Sequence, residues 1–138
     1  MRILAIDPGE KKIGLAISDP VGIAARPLTT IDHVSRAIDA ARIVTLARVH
    51  EAEMILVGQA LDTADTAGPA ARHAERLADA IRELTPLPVR LHDESLSTQI
   101  AHDAMLASGR KRATRHAQIH AASAAAILQS YLDAHSPK

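Results

Sequence analysis

The first nineteen residues set two apolar runs around one polar break. "RILAID" ends in Asp7, "PGEKK" follows, and "IGLAISD" is the second run. Short apolar runs on either side of a Pro-Gly turn predict two buried strands joined as a hairpin. "GIAARPLTTI" predicts a third extended stretch. Its Pro27 has no amide to donate, which places it on a sheet edge or at an irregularity. From about Ser35 to His50 the spacing turns helical, with Ile38, Ala41, Leu46 and Val49 as the apolar positions. "EMILVG" predicts a short strand closing on Gly58. "GPAARHAERLADAIREL" predicts a helix with Pro69 at its start, where a missing N–H is harmless. "LPVRLHDE" predicts a strand, and "SLSTQIAHDAMLAS" a helix capped by Ser95 or Ser97. "GRKRATR" reads as a basic break, and "HAQIHAASAAAILQSYLDAH" as an Ala-rich last helix.

The order β-β-β-α-β-α-β-α-α predicts an α/β fold. Three strands in hairpin order, followed by strand–helix alternation, give a single mixed five-stranded sheet: three antiparallel strands, then two parallel ones, flanked by helices. The 138 residues make one domain's length, so a single domain over 1–138 is expected.

Composition narrows the function. Lys+Arg and Asp+Glu both number 16, so any nucleic-acid contact must use a local patch rather than a basic coat. The absence of cysteine excludes disulfides, thiolate zinc sites and cysteine nucleophiles. With one Tyr and neither Phe nor Trp, the core must be Leu, Ile, Val and Ala, and stacking platforms for single strands are not expected. The chain enters a strand pattern at once and has no apolar run of membrane-spanning length, so a cytoplasmic protein is expected.

Two acids stand where chemistry could occur. Asp7 ends the first strand and Glu94 ends the last. Two carboxylates at strand ends, joined by a group from the final helix, can hold one or two divalent ions. Such ions activate water and stabilise a phosphodiester in its transition state. Each acid also has a plainer reading: Asp7 as a turn residue, Glu94 as a solvated strand end. Asp93 points to the other face of its strand and is read as structural. The "GRKRATR" run is either a solvated loop or a phosphate clamp beside such a site.

Four blocks now carry a resemblance: "AIDPGEKKIGLAISDPVGIAARPLTTI", "ILVGQALDTADTAGPAARHAERLADAI", "LHDESLSTQIAHDAML" and "AASAAAILQSYLD". In this order, over almost the whole chain, they resemble the Holliday-junction-resolvase-like family of pre-16S rRNA nucleases, in the ribonuclease H-like superfamily. The resemblance implies a ribonuclease H-like fold. It also implies a metal-dependent nuclease acting in 5′-end maturation of pre-16S rRNA. A Holliday-junction-type DNA resolvase, or a non-catalytic RNA or ribosome-assembly binder, is the alternative. Structured RNA is the expected partner and branched DNA the second, with no membrane, for a monomer or a homodimer.

Residue by residue, Asp7 falls on the family's first acidic position and Glu94 on the second. The third lands on His120, where the family usually has Asp. Ser95 in place of Arg, and Gln59-Ala60 in place of Leu-Pro, are milder departures. His120 shares a helical stripe with Ala124 and Ile127, and His116 lies one turn earlier. Asp7, Glu94 and His120 are therefore the expected catalytic and metal-binding set. Replacing a carboxylate by imidazole shifts the expected ion from Mg²⁺ toward Mn²⁺. The rival reading makes His120 an inward-facing histidine that touches no metal. Lys11, Lys12, Arg110, Lys111, Arg112 and Arg115 are the expected nucleic-acid contacts. The six remaining histidines read as single residues on solvated faces. "DPGEKKIG" lacks the spacing and ending of a Walker A loop. It is similar to the phosphate hairpin of actin-like sugar kinases, which need a second large domain to close over ATP.

Overall fold

A computed structural model describes residues 1–59, 68–93 and 112–135, the last helix by its backbone alone as far as residue 118. The elements run β1 (Ile3–Pro8), β2 (Lys12–Ser18), β3 (Ala25–Asp32), α1 (Arg36–Val49), β4 (Met54–Gln59), α2 (Pro69–Arg82), β5 (Val89–Asp93) and α3 (Arg112–His135). The sheet order is β3-β2-β1-β4-β5. β1 pairs antiparallel with β2, and β2 with β3, while β1–β4 and β4–β5 are parallel. This is the mixed sheet that the order of apolar runs predicts. β3 is an edge strand, and its register against β2 shifts where Leu15 meets Thr29 and Ala16 meets Pro27. Leu28 is thus the extra residue of a bulge, in keeping with a proline that cannot donate to the ladder.

The central strands are apolar on both faces, and strand alternation sorts them into two cores. On one face Leu4, Ile6, Ile13, Leu15, Ile17, Ile55 and Val57 meet α1 and α2. On the other, Ile3, Ala5, Ala16, Met54 and Leu56 meet Ala124, Ile127, Leu128 and Leu132 of α3. The second face is built from smaller residues, which lets α3 lie close to the sheet.

α1 turns a different side to the sheet from the one its apolar spacing predicts. Ala40, Ile43, Val44 and Ala47 are buried, while Ile38 is 48% and Val49 67% exposed. Asp39 decides this. Its carboxylate is 1% exposed, accepts the Val34 N–H at 3.0 Å and bonds His33 Nδ1. Burying that hydrogen-bonded acid in the first turn rotates the helix away from the Ile38 face. The N-cap is Ser35, whose hydroxyl oxygen accepts the Ile38 N–H.

α2 buries Ala71, Ala74, Leu77, Ala78 and Ile81, and Arg82 ties it to β5 by donating to the Val89 carbonyl at 2.7 Å. α3 begins at Arg112, four residues before the expected start. Arg112 and Arg115 therefore lie in the helix and not in a basic loop. Alanine at 113 and the following run allow that extension, since nothing there breaks a helix. The helix expected over 95–108, with Ser95 or Ser97 as its cap, lies outside the described residues.

Candidate functional site

Asp7 shares its strand face with Ile3 and Ala5, and so looks toward α3. It is 9% exposed, near the carboxyl end of β1, in register with Gly14 of β2. A carboxylate this buried needs hydrogen bonds or a counter-charge.

Gly14 is what brings the last helix there. A Cβ at residue 14 would overlap the His120 carbonyl and stand 2.8 Å from the Ala121 nitrogen. No other residue type permits that approach of helix backbone to strand. The turn of α3 bearing His120 is thereby pressed onto the partner of Asp7. His120 is half-buried, and Ala124 and Ile127 on its stripe are fully buried, as the helical spacing predicts. Two of the three expected site positions thus come together across one strand pair.

β1, β4 and β5 run parallel, so their carboxyl ends share one edge of the sheet. Gly58 pairs with His92 and Gln59 with Asp93 at that edge. His92 faces α3, with Nε2 3.3 Å from the Ser130 hydroxyl and its ring edge-on to Tyr131 at 5.7 Å. Asp93 follows the alternation to the opposite face, as expected, and Gln59 on that face donates to Glu75 of α2 at 2.7 Å. Glu94 lies outside the described residues, as do Arg110 and Lys111. Among the described residues, no group of three His, Asp or Glu side chains is arranged to hold a metal ion.

Lys11 and Lys12 are exposed at the hairpin. Lys12 pairs with Asp32 across β2–β3, and its hydrogen bond holds the Asp32 carboxyl below the usual range. A phosphate reaching Lys12 would compete with that exposed pair, a weak competitor in water.

The expectation of isolated histidines is corrected. His33 bonds the buried Asp39 and sits edge-on to His73, with ring centroids 6.1 Å apart. His135 stacks on Tyr131 at 4.0 Å, beside His92. Burial pushes both His73 and His92 below the ordinary histidine value. No sequence spacing links 33 with 73, or 92 with 131, because each contact is made by packing. An acid in the first turn after the Ser35 cap is a local signal at Asp39, but it does not show that Asp39 is buried against His33.

The family model described as "RuvX: Holliday junction resolvase" matches residues 1–134. Relatives named "Putative pre-16S rRNA nuclease" include one from Myxococcus xanthus, 36% identical over 137 residues, covering 99% of this chain and 91% of its own. Another, from Roseiflexus sp., is 38% identical over 132 residues, covering 96% and 94%. Among solved structures, Thermus thermophilus RuvC in complex with a Holliday junction substrate superposes with a TM-score of 0.60 at 17% identity, over 97% of this chain and 94% of that one. The fowlpox virus resolvase bound to Holliday junction DNA gives 0.58 at 10% identity, over 99% and 100%. These structures share the ribonuclease H-like arrangement of a mixed five-stranded sheet and flanking helices. No helix among the described residues is long and apolar enough to cross a membrane. Matched over nearly its whole length by both the family model and its relatives, this chain belongs to the RuvX family.

Proposed function

We propose that this protein is a metal-dependent nuclease that hydrolyses phosphodiester bonds during 5′-end maturation of pre-16S rRNA. One structural observation carries the reading: a buried aspartate at the end of β1 faces the His120 turn of α3 across Gly14. The relatives' name supports the rRNA substrate. The family model's description keeps branched DNA as the second substrate.

The donor set fits a divalent ion. Asp7 supplies a carboxylate from a rigid strand, His120 stands on the helix pressed over Gly14, and Glu94, the next residue in sequence after β5, would supply the second carboxylate. Oxygen donors with one imidazole suit Mn²⁺ better than Mg²⁺. When bound, the ion supplies Lewis acidity toward water and the scissile phosphate. The chain's own part is to fix Asp7 against sliding by its strand pairs, and to wall one side of the site with α3. Lys11, Lys12, Arg110, Lys111, Arg112 and Arg115 hold the nucleic-acid backbone, supplying affinity without reading sequence. The working unit is the single domain of 1–138, acting in the cytoplasm.

The test is cleavage of an rRNA precursor with a 5′ extension, in Mg²⁺, Mn²⁺ and chelator, by the protein and by Asp7→Asn. Metal-dependent cutting that the variant loses by more than about 100-fold, with RNA binding retained, supports the reading; outer-shell changes cost less than that. Intact binding with no cutting in any metal would leave an RNA binder, consistent with the departure at His120.

A further inference from the structure

A second set of polar groups lies on the other side of the hairpin from Asp7. A groove of about 410 Å³ opens between the turn at 8–10 and the start of α2. His33 and His73 line it, with Pro69 and Ala70 opposite the turn. His33 is tightly placed. Its N–H donates to the Lys11 carbonyl at 2.9 Å, which ties it to the hairpin. Its Nδ1 is engaged by Asp39, a 1% exposed carboxylate that also accepts the Val34 N–H. The ring is 29% exposed, and its remaining nitrogen, Nε2, is the one left for a ligand.

The surroundings favour an anion. The N-cap of α2 is Gly68, without a side-chain cap, so the positive end of a 14-residue helix borders the groove. The Nε2 of His73 is buried and makes no hydrogen bond within the protein. Arg36 and Arg76 lie close enough to act on His73 electrostatically. Glu10 also lines the wall and opposes an anion. It is exposed, so solvent screens it, whereas the Asp39–His33 pair is partly withdrawn from solvent.

We propose that this groove is a phosphate subsite, in which His33, oriented by the Asp39 carboxylate at Nδ1, hydrogen-bonds a phosphate oxygen through Nε2 beside the first turn of α2. That the phosphate belongs to the nucleic acid engaged at Asp7 rests on the nuclease reading; the subsite itself does not. His33 is then a positioning residue for substrate and takes no part in bond cleavage.

Inorganic phosphate is titrated into the full chain while the histidine imidazoles are followed by long-range ¹H–¹⁵N NMR. Phosphate should move His33 and His73 saturably and leave His92 and His135 in place. His33→Gln should weaken phosphate about tenfold, the size expected for one charge-assisted hydrogen bond. Glu10→Gln changes an exposed side chain outside the core, and should tighten phosphate about two- to threefold by removing the opposing charge. With the rRNA precursor, His33→Gln should raise KM about tenfold and leave kcat within about twofold, the pattern of lost uniform binding. Unmoved His33 and His73 signals, or an unchanged affinity in Glu10→Gln, would overturn the subsite. Phosphate binding with an unchanged KM in His33→Gln would overturn its role in holding nucleic acid. If the precursor is never cut yet phosphate still moves His33, the subsite stands and the nuclease reading falls.

Discussion

The backbone of His120 rests directly on Gly14. A Cβ at residue 14 would overlap the His120 carbonyl and reach within 2.8 Å of the Ala121 nitrogen. Gly14 is also the register partner of Asp7. One missing methyl group therefore decides whether the last helix can wall the site. Gly14→Ala must push α3 off the sheet or distort β2. Its expected cost is about 1–3 kcal/mol, the range for overpacking a filled interior. Thermal unfolding should show that loss, and cleavage should fall further than stability explains, because the His120 turn moves away from Asp7.

A carboxylate restored at residue 120 should change which ion supports the reaction. His120→Asp supplies a hard oxygen ligand and a negative charge where imidazole now stands. Turnover in Mg²⁺ should rise relative to turnover in Mn²⁺, measured side by side on the same RNA. An unchanged ratio would place His120 outside the metal's reach.

The protein should lose stability on mild acidification, through two named histidines. Burial lowers the values of both His73 and His92, so the fold prefers them neutral. The unfolded chain then takes up a proton near 6.5 before the folded chain does. Their stabilising effect is complete above that point and declines as pH falls through it. Melting temperatures followed from about pH 8 to about pH 5 should drop in the parent. His73→Gln and His92→Gln should each flatten the slope.

A separate acid limb belongs to Asp19. Its carboxylate accepts the Gly22 and Ile23 N–H groups, both at 2.7 Å, in the turn after β2. The Ile23 bond is the main reason its value lies below the ordinary 3.8. A carboxylate depressed in the fold stabilises above its ordinary value, and that contribution disappears as pH falls through the lower one. Asp19→Ala should lower the melting temperature at neutral pH and should lose less than the parent on further acidification. Equal losses in both proteins would argue against a role for this turn.

The basic positions can be counted by salt. Each phosphate contact adds about 0.7 to the slope of log affinity against log salt for a single strand, and about 0.9 for B-form DNA. Neutralising Arg110 and Lys111 together should reduce the slope by roughly twice that amount and weaken all sequences alike. A slope that does not change would remove this segment from the interface.

Most of the fold was legible because apolar runs and their punctuation are local. The five strands, their antiparallel-then-parallel order and the edge position of Pro27 all follow from run length, turn chemistry and the missing amide of proline. Asp7 at a strand end and the inward stripe of Ala124 and Ile127 were legible for the same reason. The face of α1 was not. Its apolar positions favoured Ile38 and Val49, but the buried Asp39 bonds His33 and Val34 and turns the helix. The start of α3 was also misplaced, since charged residues at 112 and 115 read as a break although nothing in them stops a helix.

What the sequence by itself determined, then, was the set of described strands and helices, the family pattern and the place of Asp7 at a strand end. Only the tertiary structure decided which distant groups meet. Gly14 against His120, and His33 beside His73, are joined by packing of a helix on a strand and of a loop on a helix. Such contacts depend on shape and close approach in three dimensions, which no periodicity along the chain records.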